Sequence, residues 1–510
     1  MAVENKGFHK PIPYRQIILA VLLITIIILQ IAASQIRSFW EDEAYTGWLI
    51  TRNISTIIEY FKADVNNNPP LYWLTVFLWS KVVGTNEFEL KSFSILWLVV
   101  VCLLTYKVTK DLFDVNVALI AVGLLAFSPL VLTYAHNARY YSMAAALALL
   151  LLLMAYKFMH TNTPLYLVFY VLAGTGLLYT MYMGVTILLA LNLWWFIQWV
   201  RGNRKFFRLI VWALAQGLIL LFYAPWISTL VATMKHNLPS EFGGFNWLIQ
   251  IALRVGYLGY AFGVGEFFSP LNPVPWLGII IIVGLILFAL IKGKQSLWLP
   301  VIILVVAGVI SIGFNLIAVF PQNAWQNLPS RNFFVYPFFV MVLAYGIVQL
   351  KGKWRWGAVV IVLIVYGIGI CNYFTDREVI KPILIVPWRE IMTDIQKKSN
   401  TDAVVICGNG DFACSYYQTR YGFEPASPGS WAQISIQKPS EIWWIQSNLS
   451  NNENSTDADT KAFASLQTQY RETGIFNYAP QDSGIAMIKS KFLGYQSYQF
   501  RVVVYRFVLP

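Results

Sequence analysis

Long apolar runs separated by short polar breaks dominate the chain up to about residue 372. They show no period-2 alternation and outrun an ordinary core helix, so they read as membrane-crossing helices. The pattern predicts eleven spans, near 17–35, 92–108, 115–135, 141–158, 165–181, 184–200, 209–225, 273–291, 297–320, 333–350 and 356–372. Two further apolar stretches read differently. "PPLYWLTVFLWSKVVG" (69–84) is short and rich in aromatics, which suits a juxtamembrane helix lying in the interface. "FNWLIQIALRVGYLGYAFGVG" (245–265) carries Arg254 and several glycines and reads as a similar interfacial or re-entrant segment. No small-residue cleavage site follows the first run, "QIILAVLLITIIILQIAAS" (16–34), so it reads as a retained helix rather than a signal peptide.

Beyond residue 373 the pattern changes. "WREIMTDIQKKS" has the spacing of an amphipathic helix, "DAVVICG" that of a buried strand, and "CSYYQTRYG" a helical turn ending at Gly422. "EIWWIQS", "SGIAMIKS" and "YQFRVVVYRFVL" are strand candidates, and "NLSNNENSTDADT" (448–460) reads as a loop. The chain therefore divides into a membrane domain, 1–372, and a soluble α/β domain, 373–510.

Composition agrees with the membrane class: 57% of residues are hydrophobic, only 12% are charged, and mean hydropathy is +0.57. The net charge of +12 does not point to nucleic acid, because the tail from Asp376 onward balances 13 basic against 13 acidic residues. The excess lies in short loops of the membrane part: Lys6, Lys10 and Arg15; Lys107 and Lys110; Arg201, Arg204, Lys205 and Arg208; Lys292 and Lys294; Lys351, Lys353 and Arg355. This is the positive-inside pattern. It places the N-terminus in the cytoplasm and the tail outside, with outer loops near 36–91, 136–140, 226–272 and 321–332. Cys102 and Cys371 fall in apolar helices, and Cys407 and Cys414 either pair or stay free thiols.

The outer loops hold the unusual polar residues. Only 12 Asp and Glu precede Asp376, yet Glu41, Asp42 and Glu43 are consecutive in "SFWEDEAYTGW" (38–48). The plain reading is a solvated acidic loop. Against it, the cluster sits close to the membrane surface and directly before "AYTGWLITRNISTIIEYF" (44–61), a candidate amphipathic helix that would fix its position. A carboxylate so placed, its pKa raised by its neighbours and by desolvation, suits a general base. In "NNNPPLYW" (66–73), Pro69 and Pro70 make a rigid helix start, and Asn68 either binds hydroxyls or caps. In "LTYAHNARYYSMAAA", Arg139 lies beside His136, Tyr140 and Tyr141 at an outer end. It reads either as a snorkelling cation in an aromatic belt or as a phosphate-binding guanidinium. Arg331 in "NLPSRNFFVYP" and Lys91 in "FELKSF" are further candidate cations. One carboxylate base and several cations fit transfer of a group from a lipid phosphate to a hydroxyl. No P-loop or Gly-rich strand-to-helix turn argues for a nucleotide.

In order, "EDEAY", "NPPLYW", "VGTNEFELKSFSILWLVVVCLLTYKVTKDLF" and "ALIAVGLLAFSPLVLTYAHNARYYSMAAALALLLL" resemble the GT-C superfamily of membrane glycosyltransferases. The likeness is to the bacterial branch similar to protein O-mannosyltransferases, the aminoarabinose transferase of lipid A and the core transferases of lipopolysaccharide. It is strong over about 36–155, and "PSRNFFVYPFFVMVLAYG" still matches. The resemblance implies a polytopic α-helical GT-C fold of about eleven spans, with juxtamembrane helices in the first outer loop and an extracytoplasmic α/β domain. It implies an inverting transfer from a polyprenyl-phosphate-linked sugar to a glycan, lipid or protein acceptor, on the periplasmic or extracellular side of a bacterial plasma membrane. Asp42 falls at the position of the base and Glu43 at that of a supporting carboxylate. Arg139, Tyr140, Tyr141 and His136, with Arg331 and Lys91, fall near the donor phosphate, and Glu41, Asn68, Pro69, Pro70 and Tyr72 position substrate. Asn68 stands where the family often has His, and Lys91 where it often has Arg. Some relatives bind a divalent metal; the segment 136–142 lacks the additional Asp for one, so no metal ligand is assigned and no cofactor is certain. Two other classes fit parts of the pattern: a lipid-linked sugar transporter, and a non-catalytic glycolipid-binding assembly protein. A transporter would be expected to carry ionisable groups mid-membrane, and none of the predicted spans holds an acidic residue.

Overall fold

A computed structural model describes residues 14–63, 68–202, 206–237, 247–316, 325–408, 411–447, 457–478 and 502–510. Asn66, Asn67, the "SGIAMIKS" segment and most of the loop at 448–460 lie outside these ranges. Among the described residues, nine helices are long and apolar enough to cross a membrane, and four apolar helices are shorter. The protein is a multi-pass membrane protein.

The first helix, α1 (Tyr14–Ile36), is followed by α2 (Glu41–Leu49), α3 (Ile54–Lys62), α4 (Leu71–Val83) and α5 (Glu87–Leu112). The acidic triplet is therefore not a loop ahead of a helix: it is the first turn of α2, where a positive helix end favours carboxylates. The single helix expected over 44–61 is two. It breaks at Arg52–Asn53, where the Asn53 side chain caps α3 by accepting from Thr56 N at 2.8 Å. The predicted span 115–135 also divides, into α6 (Val115–Phe127) and α7 (Pro129–Tyr134). Pro129 has no N–H to continue the ladder, and Ser128 caps the restart.

Then come α8 (Tyr141–Thr161), α9 (Pro164–Thr180), α10 (Val185–Arg201), α11 (Phe206–Tyr223), α12 (Ile227–Asn237), α13 (Trp247–Val264), α14 (Pro273–Lys292), α15 (Trp298–Leu316), α16 (Tyr336–Gln349) and α17 (Lys353–Phe374). α8 packs between α5 and α9 and is mostly buried, whereas α1 is peripheral and turns Ile17, Val21, Ile24 and Ile28 outward. Such an apolar outer face suits lipid rather than water. The basic loops meet at one end of the bundle: Gln295 bonds Gln198 at 3.3 Å, and the Tyr345 hydroxyl bonds Lys292 O and Lys294 N. α2 and the C-terminal elements cap the other end. α13 is long and apolar enough to count as a span. Its partners, however, sit at the α2 end: Arg254 Nε bonds Asn315 Oδ1 at the tip of α15 (2.7 Å), and Tyr260 bonds Phe268 O (3.1 Å).

The C-terminal elements are α18 (Trp388–Lys398), β1 (Val404–Cys407), α19 (Phe412–Arg420), α20 (Trp431–Gln437), β2 (Glu441–Ser447), α21 (Asp457–Gln469), β3 (Arg471–Tyr478) and β4 (Val502–Val508). They form a four-stranded mixed sheet in the order β1-β2-β4-β3, with only β1/β2 parallel. Strand alternation splits β2 cleanly. Trp443 and Ile445 face the core shared with α18, α19 and the membrane bundle, while Ile442 and Trp444 face a second core with Trp431 and Leu466. The sheet is thus packed into the bundle rather than hung from it. Cys407 and Cys414 form a disulfide that ties β1 to α19.

Candidate active site

Chain entry into α2 is fixed from three sides. Arg37, at the end of α1, lies 4.6 Å over the Tyr373 ring and pairs with Asp376 at 2.5 Å. Phe39 N donates to the Tyr417 hydroxyl of α19 at 2.7 Å. Phe412 packs on Tyr45 and Trp48 at 5.5 and 5.8 Å. Gly47 allows this approach: a Cβ there would stand 2.9 Å from Tyr416 Cε2.

The three carboxylates of the α2 first turn then face three environments. Glu43 is buried and structural: Oε1 accepts from Ala138 N at 2.7 Å and Oε2 from Trp40 N at 3.4 Å. Burial raises its pKa, with Lys91 and the two N–H donors opposing the rise. Asp42 is 41% exposed and pairs with Arg139 Nη2 at 3.1 Å. Glu41 has the most exposed position of the three, yet its carboxyl end is crowded. Desolvation, then the charges of Asp411 and Asp42, move its pKa from an ordinary 4.5 to about 7. Asp411 comes from the C-terminal unit, where it caps α19 and accepts from Ser447 Oγ at 2.7 Å.

Arg139 is the centre of the constellation. Its guanidinium lies 5.2 Å from the Trp73 ring and 5.5 Å from that of Tyr140, its Nε has no hydrogen-bond partner, and only 7% of the side chain is exposed. Burial opposes its charge, but Asp42 and the surrounding tyrosines outweigh that and raise its pKa. Pro69 and Pro70 start α4, which delivers Trp73 to Arg139. α4 also brings Tyr72, whose hydroxyl meets Ser94 Oγ at 3.3 Å; Ser94 in turn donates to Arg139 O at 3.3 Å. Asn68 is half-buried at the turn before this helix. Tyr141 packs on Tyr140 at 5.0 Å and bonds Ser330, which brings the exposed Arg331 beside Tyr140.

Two candidates sit apart from this group. Lys91 is fully buried; its Nζ donates to Arg37 O at 2.7 Å, with Glu43 and Glu87 as its nearby acids. His136 is buried against Gln30 (3.1 Å), and burial with the nearby Lys91 and Arg37 holds it neutral.

The sequence reading missed Glu266 and Lys381. Glu266 is 1% exposed, and its two oxygens accept from the Tyr134 and Tyr257 hydroxyls. Lys381 lies 5.8 Å from the Tyr134 ring, and burial lowers its pKa. One signal was available: Glu241 and Glu266 are the only acids between Asp114 and Asp376. Gly265, at φ +86°, makes the turn that presents Glu266, and a Cβ there would strike Pro129 at 2.7 Å.

Among the described residues, no three His, Cys, Asp or Glu side chains converge to hold a metal ion. Asp42 is held by Arg139 and Glu266 by two tyrosines, so the donor set does not fit one. A separate cleft of about 680 Å³, lined by Glu87, Arg389 and Arg420 among others, runs between the start of α5 and the C-terminal unit.

Residues 67–228 match the family model of dolichyl-phosphate-mannose-protein mannosyltransferases. The matched segment contains Tyr72, Lys91, His136 and Arg139–Tyr141 but not the acidic triplet. No curated protein sequence matches the chain. Among solved structures, the chain is similar to ArnT from Cupriavidus metallidurans in the apo state, at TM-score 0.56 and 11% identity over 96% of this chain and 97% of that one. The same enzyme bound to undecaprenyl phosphate gives 0.57 and 12% over 96% and 98%. Archaeal oligosaccharyltransferase AglB from Archaeoglobus fulgidus, in complex with an inhibitory peptide and a dolichol-phosphate, gives 0.50 and 12% over 92% and 73%. At these identities the likeness is one of fold alone: the chain has an ArnT-like GT-C fold.

Proposed function

We propose that the protein is a polyprenyl-phosphate-dependent glycosyltransferase, working at the face of a bacterial plasma membrane opposite the basic loops. The observation that carries the proposal is the Asp42–Arg139 pair at 3.1 Å, a half-exposed carboxylate against a buried, aromatic-stacked guanidinium. A lipid phosphate is the natural competitor for that guanidinium. When the phosphate takes Arg139, Asp42 is released to act on the acceptor. The acceptor hydroxyl attacks the anomeric carbon and gives its proton to Asp42. The bond from that carbon to the phosphate oxygen breaks, and its electron pair leaves on the polyprenyl phosphate, matched by Arg139 and Arg331. The anomeric centre inverts. Glu43 acts by holding α2 to the segment carrying Arg139, which positions base and cation together.

Glu41 supports a second assignment of the base, because its pKa of about 7 suits proton transfer at neutral pH. Asp42 is preferred because it alone of the three touches the cation expected to meet the phosphate. The acceptor class (glycan, lipid or protein) and the choice between hexose and pentose are read out by experiment. Purified full-length protein in liposomes is given a panel of radiolabelled undecaprenyl-phosphate sugars, with membranes from cells lacking the protein as acceptor. Release of undecaprenyl phosphate with label moving to an acceptor is the expected result. No release above protein-free liposomes for any donor contradicts the assignment.

A further inference from the structure

Lys381 lies in the segment joining α17 to α18, outside every motif that suggested the site. It is 5% exposed and its Nζ has no hydrogen-bond partner. An ammonium carries three donors, and burying one without acceptors is unfavourable. The Tyr134 ring, 5.8 Å away, offers the Lys381 ammonium only a π face, so its donors stay open to a ligand's acceptor oxygens. The nearest acids do not occupy them. Glu266 and Asp42 attract the ammonium, but no carboxylate among the described residues lies within ion-pair distance of it. Glu266 already accepts from two tyrosines and Asp42 from Arg139. Arg331 is close enough to repel Lys381, and that repulsion makes an unmatched lysine there costlier still.

Nor can the segment relax away. Asp376 pairs with Arg37 at 2.5 Å. Glu378 accepts from Ser269 N at 3.2 Å and Asn272 Nδ2 at 2.8 Å. Ile380 N donates to Glu266 O at 3.0 Å, immediately before the lysine. Asp376 and Glu378 hold φ of 55° and 53°, left-handed values that non-glycine residues keep only where surroundings impose them. The ammonium is thus fixed in place beside Arg331 and within the field of Asp42.

We propose that Lys381 binds the phosphate of the lipid-linked donor, as a third cation with Arg139 and Arg331. The connector to the C-terminal unit thereby builds part of the donor site, and the docking of that unit sets donor affinity. The inference rests on the donor class proposed above.

The test measures undecaprenyl phosphate binding to purified full-length protein, with KM and kcat for the sugar-loaded donor, in wild type, K381Q, K381R and K381Q/E266Q. K381Q is expected to weaken binding about tenfold or more. K381R should recover most of it, and the rise should fall on KM more than on kcat. If Lys381 served only to balance Glu266, the double variant would recover donor binding; the proposal expects that it does not. Unchanged binding in K381Q, or recovery in the double variant, overturns the role of Lys381 while leaving the donor class intact. Folded wild type that fails to bind undecaprenyl phosphate overturns the donor class, and this inference with it. Should K381Q not fold, cross-linking of wild type decides: undecaprenyl phosphate carrying a photoreactive group on its phosphate should label the segment 376–386, and labelling that misses this segment overturns the proposal.

Discussion

Glu43 and Lys91 offer a test of how the α2 carboxylates divide their work. Both side chains are buried, and each is the other's principal opposite charge, with Glu87 as a second acid near Lys91. Glu43→Gln keeps an oxygen to accept from Ala138 N, now at 2.7 Å, so that bond largely survives. It removes the charge facing Lys91 and turns an amide N–H toward Trp40 N. Breaking a buried ion pair from one side costs about 3–5 kcal/mol. Glu43 and Lys91 interact through their fields without ion-pair contact, and Glu87 also remains near Lys91, so a smaller loss of about 2 kcal/mol is expected for Glu43→Gln. Lys91→Met leaves Glu43 its two N–H donors and should cost a similar amount. The double variant leaves no buried charge unmatched between the two positions, so its loss should fall short of the sum by about 2 kcal/mol. Unfolding in mixed micelles of rising SDS fraction, followed by tryptophan fluorescence, measures all four proteins. Additivity within about 0.5 kcal/mol would show the two charges uncoupled and refute the structural role given to Glu43.

Three further outcomes follow from the geometry. Glu41 has a raised pKa in the folded protein, so the folded state keeps a proton that the unfolded state releases; its stabilisation is full below about 4.5 and is lost as pH rises toward about 7. Glu41→Gln should flatten the decline in stability across that window, and an unchanged slope in pH-dependent unfolding contradicts the assignment. Arg139→Lys keeps a cation but loses the planar stack on Trp73 and Tyr140, and should raise donor KM about tenfold or more with the fold intact; wild-type KM speaks against a guanidinium–phosphate contact. Replacing Cys407 and Cys414 by serine opens a loop of sequence separation 7 and should destabilise the C-terminal unit by about 2–3 kcal/mol, measured by limited proteolysis with and without reductant.

The bundle was largely legible because hydropathy over some twenty residues is a strong signal. Among the described residues every expected span coincides with helix, but those at 115–135, 165–181 and 333–350 fall on the shorter apolar helices, while 245–265, read as interfacial, holds a helix long enough to cross; the other errors fall where local chemistry overrides hydropathy. Ser128–Pro129 breaks one apolar run, and Asn53 caps a second helix inside the amphipathic stretch 44–61. In the C-terminal unit, β1 and β2 were readable because both are buried. β3 was not: "RETGIFNY" is half-exposed, polar at its start and irregular at Glu472–Gly474, so it has neither an apolar run nor clean alternation. The local half of the site was legible too, since Asp42, Arg139 and Tyr140 stand in short dense motifs. Lys381 and Asp411 could not be read, because each reaches the site only through tertiary packing; Glu266 was marked by its isolation among the acids, but its neighbours Tyr134 and Lys381 lie more than a hundred residues away in sequence. Lys91 shows the converse. Its motif is conspicuous, yet its ammonium is buried and donates to Arg37 O, with Glu43 and Glu87 as its nearby acids.

The most direct measurement is turnover by Asp42→Asn in liposomes, beside wild type and Glu41→Gln, with undecaprenyl phosphate binding measured on the same preparations. Asp42→Asn should keep donor binding within a few-fold and lose turnover by about 10²–10⁴-fold, while Glu41→Gln keeps most of its activity. Wild-type turnover by Asp42→Asn would contradict the account and leave the acidic turn of α2 a structural feature.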